Sequence, residues 1–230
     1  MSQPKAWKKA AILIAILLVP SLLYLLLSTG TNNFKPLPFM GPKEAVEVMK
    51  DGELVIDTIY HTIPAFQFVD QNGASFSSEE LKGKIYVANF FFATCPTVCP
   101  KVSTNMLQVQ DRFKDRIDFR LLSFTVNPEH DTPEVLKEYA EKVHATDGLW
   151  TFLTGDKDSI YNIGFKGYFV SAQKDSIAPG GFLHSSNMML IDGEGRLRGV
   201  FDGTSVSETN DLFDAIDILL VEKYVPRKKK

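Results

Sequence analysis

The spacing of hydrophobic positions alternates along the chain between the period of a strand and the period of a helix. Residues 85–92 are a dense run of β-branched and aromatic side chains, typical of a central strand buried on both faces. Apolar side chains then recur at helical spacing from Val102 to Phe113, before a second strand-like run at residues 117–126. Pro133 follows Thr132 at a natural first helical position, where another apolar stripe begins. This order predicts two parallel strands joined by a crossover helix.

Two hairpins and a closing helix complete the predicted domain. The first hairpin pairs residues 65–69 with 74–77 around Asp-Gln-Asn-Gly, and the second pairs residues 188–191 with 197–201 around Asp-Gly-Glu-Gly. The other predicted elements are a helical insertion at residues 155–170, an irregular loop at 171–183 and a final helix from about Ser207. The whole pattern predicts an α/β fold, with a thioredoxin-like mixed sheet flanked by helices.

The amino-terminal segment has the composition of a membrane span. Residues 10–34 carry no charge, and residues 10–27 are almost wholly apolar. At about 1.5 Å per residue, a helix of this length spans about 27 Å, close to the hydrocarbon core of a bilayer. Lys5, Lys8 and Lys9 favour a cytoplasmic amino terminus, which places the rest of the chain on the outer face. A cleaved signal peptide is the alternative, although its apolar core is usually shorter.

The chain therefore divides into five predicted parts. These are a cytoplasmic basic end at residues 1–9, a transmembrane anchor at 10–28, a proline-containing linker at 29–42, the thioredoxin-like domain at 43–226 and a basic tail at 227–230. The two basic ends hold seven cations, without which the formal charge of the chain falls from −3 to −10. An acidic body argues against nucleic-acid binding, which needs a basic surface.

Both cysteines lie in one loop, Thr94-Cys95-Pro96-Thr97-Val98-Cys99-Pro100, directly after the strongest strand pattern. Pro100 fits a first helical turn and disfavours helical backbone at Cys99, so the helix is predicted to start at about Pro100. The positive end of a helix lowers the pKa of a thiol, and the thiolate is the nucleophile and metal ligand. Redox thioredoxin motifs place two residues between their cysteines, whereas three here give the sulfurs room to spread around an ion. The proline-flanked loop also argues against buried, inert thiols.

Two thiolates leave a metal ion one ligand short of a trigonal set, so a histidine is expected as the third ligand. His61 lies beside the first hairpin, His130 lies in a turn where solvation is expected, and His144 continues a half-buried helical stripe. His184 immediately precedes the second hairpin. In a thioredoxin architecture that loop faces the cysteines, which favours His184 as a ligand over a merely hydrogen-bonded histidine.

The donor set indicates the metal. Two Cys and one His suit copper, because thiolates favour Cu(I) and imidazole also accepts Cu(II). Structural zinc normally takes four protein ligands, and no fourth is evident. Met188 and Met189 are further candidates for copper, but they alternate along a strand, so at least one is expected in the core.

These motifs together resemble the Sco/SenC family, the membrane-anchored copper proteins of cytochrome c oxidase assembly. The resemblance rests on residues 94–100, on Asp131-Thr132-Pro133-Glu134 and on His184-Ser185 leading into Leu190-Ile191-Asp192, and it covers roughly residues 59–221. It implies that residues 43–226 form a copper-binding domain, with Cys95, Cys99 and His184 as the copper ligands. It also implies delivery of copper to the dinuclear centre of the oxidase's second subunit, or reduction of that subunit's cysteines beforehand.

The chain departs from the family pattern at Asn127-Pro128, where the family usually has Asp-Pro. Asp131 is retained, either as a group that supports the metal ligands or as a plain helix cap. Three functions stay open: a copper metallochaperone, a thiol–disulfide oxidoreductase in which Cys95 and Cys99 cycle by exchange, and a non-catalytic interaction domain with inert cysteines. The expected partners are the copper-receiving oxidase subunit, the membrane and, for the redox function, a thiol reductant protein.

Overall fold

A computed structural model describes residues 6–29, 36–50, 52–170 and 185–224, and the chain forms two compact units, residues 1–35 and 36–230. The first unit contains helix α1 (Ala6–Thr29). Its apolar stretch, Trp7–Leu25, has a mean hydropathy of 1.9 and is long and apolar enough to cross a membrane. Pro20 lies inside the helix, a position that membrane helices tolerate.

The second unit consists of a two-stranded ribbon and a seven-stranded sheet with helices. The ribbon comprises β1 (Lys43–Lys50) and β2 (Glu53–Tyr60). The remaining elements are β3 (Gln67–Asp70), β4 (Ser75–Ser77), β5 (Ile85–Phe91), α2 (Val98–Phe113), β6 (Phe119–Thr125), α3 (Pro133–Lys142), β7 (Trp150–Thr154), α4 (Lys157–Asn162), β8 (Asn187–Ile191), β9 (Leu197–Asp202) and α5 (Val206–Tyr224). A short 3-10 helix (Ser78–Leu81) follows β4, and a π-helical turn (Ile163–Gly167) follows α4.

The seven strands lie in the order β4-β3-β7-β6-β5-β8-β9. Strands β5, β6 and β7 are parallel, joined by α2 and α3, and the outer strands on both sides are antiparallel. Every residue of β5 is buried, as expected of a central strand. The predicted mixed sheet, both hairpins and the helical insertion are confirmed. The predicted loop at residues 171–183 and the basic tail at 227–230 lie outside the described residues.

Alternation along β5 sends neighbouring aromatic rings to opposite faces of the sheet. The ring centroid of Phe91 lies 5.0 Å from that of Tyr139 on α3. The ring centroid of Phe90 lies 5.5 Å from that of Tyr168, which follows the π-helical turn. The sheet is therefore covered on both faces, which explains why β5 is apolar at every position except Asn89, a buried amide whose oxygen accepts a hydrogen bond from the Ser123 hydroxyl.

A buried ion network closes the end of the sheet away from the cysteine loop. Arg198 on β9 has 1% of its side chain exposed and lies 3.0 Å from Asp192 and 2.8 Å from Glu222 on α5. Its guanidinium also donates hydrogen bonds to the carbonyls of Leu37 and Pro38. The network thereby fastens the segment before the ribbon to the last helix and the last hairpin.

Candidate metal centre

The two cysteines lie at the junction of β5 and α2. A turn closed by the Cys95 N–H and the Phe92 carbonyl, 3.1 Å apart, reverses the chain after the strand. Both thiols are free, and both are buried, with 8% of Cys95 and 7% of Cys99 exposed. The three residues between them are exposed. The expectation of accessible thiols is therefore wrong, because the cysteines turn inward beneath the residues that separate them.

Helix α2 begins two residues earlier than predicted, at Val98 rather than near Pro100. The N–H groups in the first turn of a helix have no carbonyl partner within the helix, so the missing N–H of Pro100 costs nothing there. The bias of proline against helical backbone in the preceding residue is overridden at Cys99. Cys99 therefore belongs to the first helical turn, and only Cys95 lies in the loop.

The sulfur of Cys95 takes the place of a capping side chain at the start of α2. Thr97 occupies the cap position, but its side chain makes no capping hydrogen bond. Instead the Cys99 N–H donates to Cys95 Sγ at 3.3 Å. The sulfur thus lies at the positive end of the helix, where the dipole and the N–H groups of the first turn favour a thiolate.

The two thiols differ in acidity. Burial opposes ionisation of Cys95, but hydrogen bonds from the Cys99 thiol and from the N–H groups of Cys99, Thr97 and Val98 outweigh burial and lower the pKa of Cys95. Burial raises the pKa of Cys99 to about 12, and the hydrogen bond with Cys95 adds to this effect. The expected lowering of the thiol pKa is therefore found for Cys95 only, and the pair favours a single thiolate there.

Asp131 is a buried carboxylate that fastens the cysteine loop to the neighbouring strand. None of its surface is exposed, and its Oδ2 accepts hydrogen bonds from the Ala93 N–H at 3.0 Å and from the Thr125 hydroxyl. Its Oδ1 lies 2.8 Å from His130 Nδ1. The alternative role, as the cap of α3, is filled by Thr132. Support of the site through the cysteine loop remains the prediction for Asp131.

Tyr139, a buried residue of α3, also lies at this site. Its hydroxyl is 2.9 Å from the hydroxyl of Ser103, one helical turn after Cys99 on α2. Burial raises the pKa of Tyr139 to about 12, and the nearby sulfurs of Cys99 and Cys95 act in the same direction. The neutral hydroxyl therefore joins α3 to the helix that carries Cys99. The signal in the sequence is a tyrosine in an apolar stripe, since a buried tyrosine hydroxyl needs a polar partner.

The histidines lie in different environments. His61 Nε2 is 2.9 Å from a backbone carbonyl. His130 has an exposed side chain, which confirms the predicted solvation. His144 is wrongly predicted as half-buried: α3 ends before it, and it is exposed at a left-handed φ of 59°. His184 lies outside the described residues, so its role as a ligand stays a prediction.

The chain that follows His184 runs beside α2. The Gly203 N–H donates to the carbonyl of Ser186, 2.8 Å away. A Cβ added to Gly203 would lie 2.7 Å from that carbonyl oxygen and 3.0 Å from Cγ1 of Val102. Val102 follows Cys99 by three residues. Ser186 therefore lies next to the first turns of the helix that carries Cys99.

The two sulfurs form a donor set that suits a soft ion such as Cu(I). Within the described ranges, no three side chains of His, Cys, Asp or Glu lie close enough to hold a metal ion. Met188 and Met189 are at most 1% exposed. Both methionines are therefore core residues, as the strand alternation predicts for at least one of them.

Comparison with known proteins shows which family the chain is similar to. Residues 57–219 match the SCO1/SenC family. The SCO2-like protein of Rickettsia felis is 33% identical over 192 residues, which cover 82% of this chain and 86% of that protein. The match extends over nearly the same residues as the resemblance predicted from the motifs.

Three solved structures share the fold. A SCO1/SenC family lipoprotein of Bacillus anthracis has a TM-score of 0.63 and 31% identity, over 70% of this chain and 95% of that one. BsSco, described as a member of the Sco family of cytochrome c oxidase assembly proteins with a disulfide switch, has a TM-score of 0.61 and 29% identity, over 69% and 93%. ScoI of Bradyrhizobium japonicum, solved with copper bound, has a TM-score of 0.55 and 29% identity, over 68% and 97%. With its thioredoxin-like fold confirmed, this chain belongs to the SCO1/SenC family.

Proposed function

We propose that this chain is a membrane-anchored copper chaperone that binds copper through Cys95, Cys99 and His184 and delivers it to the dinuclear copper centre of cytochrome c oxidase. The observation that carries the proposal is the pair of free thiols at the start of α2, where Cys95 Sγ accepts the Cys99 N–H. The copper-bound ScoI relative supports copper as the cargo. The description of BsSco as an oxidase assembly protein supports the oxidase as the client.

The donor set suits a carrier better than a permanent metal site. Structural zinc is closed by four protein ligands, whereas three ligands leave copper open to a client's own ligands. Copper can then move by stepwise ligand exchange. Asp131 holds the Ala93 N–H, so the loop that carries Cys95 is already in place when copper arrives. The exposed residues 96–98 give a client access next to the sulfurs.

The position of Ser186 supports His184 as the third ligand. His184 precedes Ser186 by two residues, which is about 7 Å at most along an extended chain. Ser186 lies beside Gly203 and Val102, at the first turns of α2. This short connection supports the proposal that His184 binds copper together with the cysteines.

Replacing His184 with Ala should weaken copper binding by roughly a hundredfold or more, because the loss of even an outer partner of a metal ligand costs about 10–100-fold. The measurement is a competition titration of the reduced full chain in detergent micelles with Cu(I) and Cu(II), with ligand spectroscopy. His144→Asn is the matched control, since His144 is exposed and asparagine tolerates its left-handed backbone. Equal affinity of His184→Ala and the unmutated chain would reject the three-ligand site.

We infer that α1 anchors the chain, with its amino terminus in the cytoplasm and the domain on the outer, periplasmic or equivalent face. The apolar stretch Trp7–Leu25 supports the span, and the three lysines at residues 5, 8 and 9 support its direction. The description of the Bacillus anthracis relative as a lipoprotein supports attachment of the domain to a membrane. A cleaved signal sequence is the alternative for α1.

A second function, thiol–disulfide exchange with the oxidase subunit or another exported protein, is favoured by the hydrogen-bonded pair of unequal thiols. The Cys95 thiolate attacks a client disulfide and forms a mixed disulfide, releasing one client thiolate. The Cys99 thiol then loses its proton and attacks the Cys95 sulfur, which frees the second client thiol and leaves a Cys95–Cys99 disulfide. Two electrons pass to the client, and a thiol reductant protein restores the pair. The disulfide switch described for BsSco supports this cycle.

For this second function, Cys99→Ser should trap a mixed disulfide through Cys95, whereas Cys95→Ser should trap little. In the reduced chain, iodoacetamide should label Cys95 with a pH midpoint below the ordinary thiol pKa, and Cys99 only at much higher pH. Only the thiolate reacts with iodoacetamide. The lowered pKa of Cys95 moves thiolate formation, and with it the labelling midpoint, to lower pH. Mass spectrometry measures both rates. Slow labelling of both thiols would favour inert cysteines and reject the cycle.

A further inference from the structure

The turn between β6 and α3 carries an imidazole that the cysteine–histidine site does not use. His130 lies on this turn with 51% of its side chain exposed, and its Nδ1 is 2.8 Å from Asp131 Oδ1. Asp131 is completely buried, and its other oxygen accepts the Ala93 N–H and the Thr125 hydroxyl. Ala93 precedes Cys95 by two residues. One carboxylate therefore joins His130 to the loop that carries the first sulfur.

This hydrogen bond determines which ring nitrogen of His130 is available. A carboxylate only accepts hydrogen bonds, so Nδ1 carries the proton that faces Asp131. Nε2 is then the ring nitrogen left for a metal ion, on the side of the ring away from the buried carboxylate. Metal-ligating histidines in proteins almost always show this arrangement, with one ring nitrogen on the metal and the other N–H on a carboxylate or carbonyl.

The other described histidines lack this combination. The Nε2 atom of His61 is already 2.9 Å from the carbonyl of Gly167. His144 is exposed at the end of α3, and among the described residues it has no ion pair. Among the described histidines, His130 is therefore the one whose ring is half exposed and is held in place by a carboxylate.

His130 does not complete a preformed site with the cysteines. In the part of the chain that the structure describes, no three potential ligands of the types His, Cys, Asp and Glu lie close enough to hold one metal ion. Any copper on His130 is therefore bound at a separate position, which the shared carboxylate keeps next to the cysteine loop.

We propose that His130 is a second copper-binding position, which holds the ion through Nε2 and exchanges it with Cys95 and Cys99. This inference rests on the proposed copper function. Because the two positions are separate, water replaces the sulfurs on copper as the copper–sulfur bonds break, and the imidazole then displaces a water as the copper–nitrogen bond forms. The ion keeps its oxidation state. The released sulfur leaves as a thiolate and takes a proton from water, while Nδ1 keeps its proton on Asp131. The imidazole would receive copper on its way in or out of the buried pair.

The first test removes the cysteine site and asks whether His130 alone binds copper. The full chain with Cys95→Ser and Cys99→Ser, in detergent micelles, is titrated with substoichiometric Cu(II) while the histidine ring protons are followed by NMR. We expect the His130 signals to broaden before those of the exposed His144. Broadening of both at the same copper ratio would overturn the proposal. Because the variant lacks the thiols, this result does not depend on whether the cysteine pair binds copper.

The second test separates a ligand from a positioning residue. In His130→Asn the amide can still donate to Asp131 but has no Nε2, whereas His130→Ala loses both. For each loaded chain, the rate of Cu(I) transfer to bicinchoninate is measured, together with copper affinity. We expect both variants to slow transfer equally, by roughly tenfold, the low end of what loss of an oriented partner costs at a metal site. Transfer at the unmutated rate in His130→Asn, with only His130→Ala slowed, would overturn the ligand role.

Discussion

Serine in place of Cys95 or Cys99 should abolish tight copper binding without unfolding the domain. At position 95 the serine hydroxyl can still accept the Cys99 N–H, as serine does at many helix starts. An oxygen donor, however, is a poor ligand for Cu(I), which prefers sulfur. We expect the Cu(I) affinity to fall well beyond the roughly 10–100-fold that loss of an outer partner costs. Competition with bicinchoninate, using the reduced full chain, measures the change.

Thr97→Ala is the matched control for the cysteine variants. Thr97 lies between the two cysteines, is exposed, and its side chain makes no capping hydrogen bond. Its removal changes the same loop without touching a sulfur, so copper affinity should stay at the level of the unmutated chain. If Cys99→Ser also kept that affinity, the cysteine pair would not be the copper site, and the proposed function would fail.

The elements that the sequence predicted well are those whose signal is local. The run at residues 85–92 alternates rings between two buried faces, so every position except Asn89 is apolar, and β5 is found there. Pro133 after Thr132 marks the start of α3 because both residues act within one helical turn. In both cases the physical cause lies within a few residues, where the sequence displays it directly.

The missed strands are those whose stability depends on distant partners. β7 (Trp150–Thr154) has only five residues, all buried, and it is defined by its parallel pairing with β6 rather than by a period of its own. The ribbon strands β1 and β2 carry exposed apolar side chains on mixed faces, with 77% of Ile56 exposed. Neither the short buried run nor the mixed pattern distinguishes a strand from a loop before the fold is known.

In the candidate site, too, the local features were predicted and the features that depend on distant residues were missed. The strand–helix junction and the two cysteines follow from local pattern, but the burial of the thiols does not. Asp131 reaches the Ala93 N–H across 38 residues of sequence, and Tyr139 reaches Ser103 across 36. Those contacts exist because β5 and β6 are adjacent and α3 packs near α2. No spacing within the cysteine motif could have revealed them.

Replacing Arg198 with Ala should lower the free energy of unfolding by about 3–5 kcal/mol. The guanidinium lies between the carboxylates of Asp192 and Glu222 and is almost completely buried. Removing it takes the buried cation away from both acids and leaves Asp192 with only the more exposed Arg196, while two backbone carbonyls, of Leu37 and Pro38, lose a donor. Urea unfolding of the full chain in detergent micelles measures the loss, followed by the fluorescence of buried Trp150 in a Trp7→Phe background.

Arg196→Ala distinguishes this buried network from ordinary ion pairing. Arg196 also contacts Asp192, at 2.8 Å, and it pairs with Glu194, but 21% of its side chain is exposed, against 1% for Arg198. Solvent screens its charges, so its removal should cost no more than about 1 kcal/mol. Equal losses in the two variants would mean that burial does not set the strength of the network. A small loss for Arg198→Ala would mean that water reaches the two acids once the guanidinium is gone.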